Sequence, residues 1–334
     1  MSIRGLLRRI PPALLLLSLA LHFFTIVLYV RLPIKLAAIT IYPVWVWGGI
    51  GLILGAFCYL FCKIRGSLTV ILLWTFTILF LADEARPLAR LATEPLKEGP
   101  PEEYAESRVL RAISFNCASR SDPLEAIRQF EPDIIFLQEI PPGYRIKQLT
   151  DKLFKGQGDY RYNRSVRFAI IVRGSIEREF RFARYRSQLV KVEMFDGRKL
   201  NLLNLHLLSA ATNMNLHQRD CWSEHIENHT LRKIELSTSL AGLKQYGSHP
   251  RFPTIVAGDF NAPPNDSVHR IMSKEFTDAF GAAGTGWGNT FHRSLPLLRI
   301  DYIYSSDKLV PVRARTFTRE KSDHRMVVAD FVYR

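Results

Sequence analysis

The chain has 334 residues, 47% of them hydrophobic, and a formal net charge of +14. That length suits one large or two small domains, and four cysteines without metal-type spacing exclude a cysteine-built zinc module. Residues 1–100 hold ten Lys/Arg and four Asp/Glu, leaving 35 and 27 and a net +8 for residues 101–334, an excess that attracts polyanions or anionic headgroups without choosing between them.

Three apolar runs open the chain, at about 12–30, 42–61 and 66–82. The first two are long enough for a bilayer core of ~30 Å, and the third reaches the lower limit with Gly66 and Ser67. Tyr42, Trp45 and Trp47 sit at one end of the second run, as an interfacial belt would. The basic start (Arg4, Arg8, Arg9) would suit a cleaved signal, but two more runs follow at once and no small-x-small cleavage site appears. Residues 1–83 therefore read as a membrane region with three transmembrane helices. Flanking cations do not orient it: Arg4, Arg8, Arg9, Lys63 and Arg65 balance Arg31, Lys35, Arg86, Arg90 and Lys97. The dominance of the first helix favours an inside N-terminus. With three crossings, the remainder lies on the extracytoplasmic face of the inner or plasma membrane. Cys58 and Cys62 are ordinary small apolar residues of the second run, and a disulfide between Cys117 and Cys221 stays open.

Residues 84–106, with Pro95, Gly99, Pro100 and Pro101 among acids, read as a linker. From 107 to 334 strands and helices alternate. Strand 108–116 precedes a helix near 121–130, with Pro123 at its first position. Strand 133–139 precedes a helix near 144–153. Segments 167–173, 188–195 and 199–206 are strand-like, the last two joined by the hairpin signal Asp196-Gly197. A helix over about 228–245 and strands near 254–258, 299–304, 309–317 and 326–332 complete the series.

The strand ends carry the chemistry. Val109 to Asn116 ends in an amide, Pro132 to Glu139 in an acid and Leu200 to His206 in a histidine. Ile255-Val256-Ala257-Gly258-Asp259-Phe260-Asn261 delivers a carboxylate and an amide to a sheet rim. Arg299-Ile300-Asp301-Tyr302-Ile303 and Ser322-Asp323-His324 follow. In this order, over roughly residues 107–334, the motifs resemble the endonuclease/exonuclease/phosphatase superfamily, of deoxyribonuclease-I-like fold, in a membrane-anchored, bacterial-type form. The resemblance implies an α/β fold, a four-layered α/β sandwich of two packed mixed sheets flanked by helices, behind the three transmembrane helices.

Cleaving a phosphate ester requires charge neutralisation, an in-line water, a base and help for the leaving oxygen. Glu139, an acid closing an apolar strand, is the foremost ligand for Mg²⁺, or Mn²⁺ in its place. Asn116 would stand beside it, and Asp323 would be a further metal ligand. By analogy with the family, Asp259 orients or deprotonates the water and Asn261 donates to a phosphate oxygen. Asp301 and His324 resemble the family's dyad, in which a carboxylate on one ring nitrogen makes the other more basic. His206 would stabilise or protonate the leaving oxygen. His225 and His229, spaced i,i+4 with His217 upstream, raise a weaker zinc alternative, and one of Arg164, Arg167 and Arg173 could touch substrate phosphate.

The leading expectation is a membrane-anchored, metal-dependent phosphodiesterase of nuclease-like type. A sphingomyelinase-like or other lipid phosphodiesterase or phosphatase is the alternative, because the domain is tethered beside headgroups. Inositol-polyphosphate phosphatases carry tryptophans where this chain has Val256-Ala257 and Arg299-Ile300, which disfavours that subgroup. An inactive membrane scaffold would have lost a ligand, and none is lost.

Overall fold

The computed structural model describes residues 3–93, 109–181, 186–209 and 215–334. Most of the expected linker, from 94 onward, lies outside the described residues.

The first part is helical: α1 (Ile3–Arg31), α2 (Ala37–Thr40), α3 (Val44–Leu60), α4 (Ser67–Leu81) and α5 (Ala85–Thr93). Three spans were expected, the third at the lower limit of length, but among the described residues only one helix, over Ile10–Arg31, is by itself long and apolar enough to cross a membrane. At 1.5 Å per residue the 17 residues of α3 and 15 of α4 reach about 26 and 22 Å, short of the ~30 Å core. Each attains span length only with a neighbour bent away from it, by 66° and 85°.

These helices are packed polar side inward. Ser18 Oγ donates to the Gly51 carbonyl (3.1 Å) and accepts from Trp74 Nε1 (3.1 Å), and His22 Nε2 meets Thr77 Oγ1 at 2.8 Å. Leu17, Phe24, Ile53, Phe61, Phe76 and Phe80 face outward. Close approach depends on missing side chains: a Cβ on Gly51 would fall 2.0 Å from the Trp74 indole, and one on Gly48 2.6 Å from Ile78.

The rest is a mixed α/β fold built on one long mixed sheet. Its strands are β1 (Leu110–Asn116), β2 (Ile134–Gln138), β3 (Gly158–Asn163), β4 (Phe168–Arg181), β5 (Ser187–Met194), β6 (Lys199–His206), β7 (Thr254–Asp259), β8 (Thr277–Asp278), β9 (Asp301–Ser305), β10 (Leu309–Thr318) and β11 (Arg325–Tyr333). They run β10-β11-β1-β2-β4-β5-β6-β7-β9-β8, with β3 paired to β4. Strand β4 is far longer than the expected 167–173 because it serves both halves. Residues Ala169–Val172 pair with β2, and Gly174–Arg181 pair with β5.

The two halves face each other across a core of Ile134, Phe136, Ile170, Val190, Leu202 and Ile255, among others. A second cluster packs the outer face of the first half against α6 (Pro123–Ile127) and α7 (Ile146–Phe154). A third packs the other outer face against α8 (Arg219–Gly247) and α9 (Ser267–Met272). The expected helix near 121–130 is a short α6 followed by a 3-10 turn. The Asp122 carboxylate caps α6 by accepting from Leu124 N–H at 2.8 Å, with Pro123 at the first position. Helix α8 begins at Arg219, nine residues before the expected start. A short α10 (Ala279–Ala283) packs beside β10.

Each half contains one parallel pair: β1 beside β2, with Asn116 opposite Gln138, and β6 beside β7, with His206 opposite Asp259. Strands β9 and β11 are antiparallel to β7 and β1, so their N-terminal ends lie where the parallel pairs finish. One rim therefore gathers the ends of four strands and the starts of two.

Candidate active site

On that rim all eight expected residues join one contact network. Asn116 Nδ2 donates to Asp259 Oδ2 at 3.0 Å and lies 3.5 Å from Glu139 Oε1. His206 Nε2 is 3.6 Å from both Glu139 Oε1 and Asp259 Oδ2. His324 Nδ1 faces Asp301 Oδ2 at 2.9 Å, and its Nε2 is 3.9 Å from Asp259 Oδ2. Asp323 is at the rim, its side chain 44% exposed and its Oδ1 4.0 Å from His324 Nε2. Asp259, Asp301, His206 and His324 are buried, and Glu139, Asp259, His206 and His324 border a cavity of about 260 Å³.

The backbone beneath is wound against its preference. Ala118, Ser119, Glu139, Arg167 and Asn261 have φ between +48° and +60°, a left-handed conformation costing non-glycine residues roughly 1–2 kcal/mol each. Hydrogen bonds hold it. Ser119 N–H donates to the Glu139 carbonyl (2.8 Å), Ile140 N–H to the Arg167 carbonyl (3.1 Å), Ala118 N–H to Asn116 Oδ1 (2.9 Å) and Asn261 N–H to Asp259 Oδ1 (2.8 Å). Strain concentrated at one place in this way is a mark of functional loops. Gly258 is dictated by space: at φ +139° a Cβ would lie 1.9 Å from the Leu205 carbonyl oxygen, so only glycine lets β7 lie this close to β6.

Below the rim, Gln138 Nε2 donates to Asn204 Oδ1 (2.7 Å), while Asn204 Nδ2 donates to the Leu137 carbonyl (3.0 Å). This buried clip ties the two halves together directly under the site. His324 is also fixed from behind: Ser322 Oγ accepts from His324 N–H (3.0 Å) and donates to the Asn116 carbonyl (2.8 Å). Thr290 Oγ1 accepts from Asp301 N–H at 3.2 Å.

The charges divide by environment. Burial and the neighbouring Asp301 push the Asp259 carboxyl up to about 7, against the pull of His324 and the Asn261 and Asn116 hydrogen bonds. Burial disfavours a charged His324, but Asp301 and Asp259 outweigh it and raise its pKa to about 10. Burial, with Arg186, His324 and Arg167, lowers His206 to about 3. His206 is therefore neutral at pH 7, able to donate a hydrogen bond to a leaving oxygen but not to serve as its acid. Asn261 is likewise committed in part: one amide N–H goes to the Leu207 carbonyl at 2.9 Å, leaving the other for a ligand.

Asp259, Asp301 and His324 form the one compact metal-type trio among the described residues, their ligand atoms within 4.8 Å of one another. The expected ligands were Asn116, Glu139 and Asp323. A ring nitrogen 2.9 Å from a carboxylate is already satisfied as an ion pair, whereas Glu139 brings a carboxylate to the cavity, the chemistry a hard divalent cation requires. Asn116 turns its Nδ2 toward that carboxylate, its Oδ1 accepting from Ala118 N–H.

Of the three arginines named for substrate phosphate, Arg173 is 3.7 Å from Asp133, Arg164 and Arg167 line a groove with Tyr160 and Tyr162, and Arg167 helps to lower the His206 pKa. The arginine bordering the cavity beside Glu139 and His324 is Arg186, in a stretch of sequence with no motif to mark it. His229 Nε2 is engaged with Ser267 Oγ (3.0 Å) and Asp266 (3.5 Å), so the zinc alternative has no support there. Cys117 and Cys221 are free, buried thiols. The cavity also includes Ile41, from the apolar N-terminal part.

A family model described as the Endonuclease/Exonuclease/phosphatase family matches residues 113–324. No curated protein matches the chain significantly. Among solved structures, similar ones include an endonuclease/exonuclease/phosphatase from Bacteroides vulgatus (14% identity, TM-score 0.51, covering 68% of this chain and 100% of that one). Others are the human Nocturnin catalytic domain with bound sulfate (19%, 0.50, 70% and 100%) and the Bacteroides thetaiotaomicron mannosyl-6-phosphatase (16%, 0.50, 67% and 100%). At these identities the likeness is one of fold.

Proposed function

Because the chain belongs to the Endonuclease/Exonuclease/phosphatase family, we propose that it is a membrane-anchored, divalent-metal-dependent hydrolase of phosphate esters. The observation that carries this reading is the Asp301–His324–Asp259 constellation, assembled from three segments beside Glu139 and Asn116. The three packing clusters support the expected four-layered sandwich as its frame. Residues 107–334 would be the catalytic unit, 84–106 the linker and 1–83 the membrane region. The inward-facing polar groups and outward-facing apolar ones of α1, α3 and α4 suit lipid surroundings.

Glu139, with Asn116 and Asp323, would hold Mg²⁺ or Mn²⁺, which when bound neutralises charge on the phosphate. Asp259 orients and deprotonates the attacking water. His324, kept cationic by Asp301, donates to a phosphoryl oxygen, joined by Asn261 and Arg186. His206 donates a hydrogen bond to the departing oxygen. Such preorganised donors are worth most in a water-poor cavity. Nucleic-acid and lipid phosphoesters both present the required group, so access to the cavity decides between the nuclease-like and lipid-directed forms.

The test is hydrolysis of bis(p-nitrophenyl) phosphate by the full chain in detergent. Activity should require Mg²⁺ or Mn²⁺ and disappear in Glu139→Gln at unchanged melting temperature. Full activity of Glu139→Gln in chelator would end this assignment. For the extracytoplasmic orientation, protease added to intact cells should digest the catalytic domain, and protection of that domain reverses the topology.

A further inference from the structure

The membrane region and the catalytic cavity meet. The end of α1, the start of α3 and the end of α4 all face the catalytic domain. Arg270 donates to the Val30 carbonyl at 2.6 Å, Asn289 Nδ2 to Glu84 Oε1 at 2.8 Å and Arg299 to Asp83 at 2.7 Å. The turn between α1 and α3, including α2, lies against α8. Its Ile41, 4% exposed, shares the cavity wall with Glu139, His206, Asp259 and His324.

The same end carries the aromatic belt. Tyr29 Oη donates to the Tyr42 carbonyl and accepts from Trp47 Nε1 (3.0 Å), while Trp45 Nε1 donates to Glu84 Oε1 (3.1 Å). Such belts mark headgroup level, a layer about 5–7 Å deep on each side of the hydrocarbon. Ile41 directly precedes Tyr42, so that wall of the cavity lies at this level. Leu298, Ile300 and Phe291 extend its apolar side, while Arg186, His324 and Glu139 form the polar side.

We infer, on the reading above of a membrane-anchored phosphoesterase, that the substrate is the phosphate-ester headgroup of a bilayer lipid, presented from the leaflet on which the domain sits. Its phosphate meets Arg186 and His324, and its glycerol or sphingoid end lies along Ile41 and Leu298 with the tails still in the bilayer. Water adds its oxygen to phosphorus, the ester P–O bond breaks, and the water's proton ends on the released alcohol. A nucleic-acid duplex fits this placement poorly: it is stiff over about 50 nm and would have to lie along the headgroup layer to bring a phosphate to the cavity.

The test uses the full chain in phosphatidylcholine nanodiscs with Mg²⁺. The discs carry sphingomyelin, phosphatidylglycerol or phosphatidic acid. Glycerophosphoglycerol, glycerol phosphate, bis(p-nitrophenyl) phosphate and single- and double-stranded oligonucleotides are supplied in solution at equal phosphate. At least one embedded lipid should be cleaved about 100-fold faster than its tailless headgroup, the gain expected from confinement beside the site. Ile41→Asp should slow lipid cleavage about tenfold, equivalent to 1.4 kcal/mol of transition-state binding. If oligonucleotides outpace every lipid while bis(p-nitrophenyl) phosphate is hydrolysed, the lipid inference is overturned and the hydrolase reading stands. If Glu139→Gln leaves all rates unchanged, the hydrolase reading itself falls and takes this inference with it.

Discussion

Arg299 grips Asp83 through two hydrogen bonds, of 2.9 and 2.7 Å, and so pins the segment just after α4 to the chain two residues before Asp301. The same guanidinium reaches Asp278 at 2.7 Å and stands over the Tyr302 ring. It is a buried cation shared between the apolar helices and the catalytic sheet.

Removing that cation should therefore do more than trim a surface contact. Arg299→Ala leaves Asp83 and Asp278 without their cation, and breaking such a buried pair costs roughly 3–5 kcal/mol. Thermal unfolding of the detergent-solubilised chain is the measurement, with Asp83→Asn expected to cost less because Asp278 remains. An Arg299→Ala protein melting with wild type would show that the two parts do not depend on this link.

Asp301 and His324 should act as a unit. Asp301 orients the ring and keeps its charge, so its contribution disappears with the ring. Asp301→Asn and His324→Ala should each lower kcat, and the double variant should be little worse than His324→Ala, the non-additive pattern of coupled groups. Losses that multiply would mean that the residues act separately.

Acid should weaken the α8–α9 contact. Burial raises the Asp266 carboxyl, but Arg232 at 2.7 Å and His229 outweigh it and hold its pKa below 3.8. The stability it brings is thus full above pH 3.8 and is lost as pH falls through the lowered folded value. His229, lowered chiefly by burial against the pull of Asp266, has the same sign: below its ordinary 6.5 the unfolded chain gains protons first. Because Asp266 also props up His229, the two are separated in a His229→Gln background: there, denaturant midpoints measured from pH 5 down to pH 2 should fall less steeply when Asp266→Asn is added, though from a lower start. Parallel curves would remove Asp266 from the acid response.

The helical bundle should tolerate bulk at one glycine and not at its neighbour. Gly51→Leu drives a side chain into Trp74, whereas Gly49 has open space around its Cβ position. Overpacking of this kind typically costs 1–3 kcal/mol, here roughly the upper end or beyond because the obstacle is an indole. Gly49→Ala should leave the melting temperature near wild type. Equal behaviour of the two variants would contradict the tight α3–α4 contact.

Much of this was legible because strand-end chemistry is local. Asn116, Glu139, His206, Asp259, Asp301 and His324 each close or open an apolar run, and the run itself signals that the residue reaches a rim. The strand β3, Gly-Asp-Tyr-Arg-Tyr-Asn, was missed because none of its residues is fully buried and its pattern is polar. Arg186, Ile41 and the Gln138–Asn204 clip escaped for another reason. Their roles come from partners far away in sequence, which no window along the chain contains. The shortness of α4 was legible in a run that stops at Ala82, whereas the run at 42–61 overstated α3 by the turn residues at its ends.

The left-handed residues around the site have a consequence for anyone seeking a sturdier version of this protein. Glycine at Ala118, Ser119, Glu139, Arg167 or Asn261 would relieve roughly 1–2 kcal/mol of conformational cost at each place, offset in part by the greater freedom of the unfolded chain. A library screened for heat resistance alone would be drawn to these positions. At Glu139 and Asn261 its winners would have discarded the proposed metal ligand and the proposed phosphate donor, so thermal selection should hold those two codons fixed.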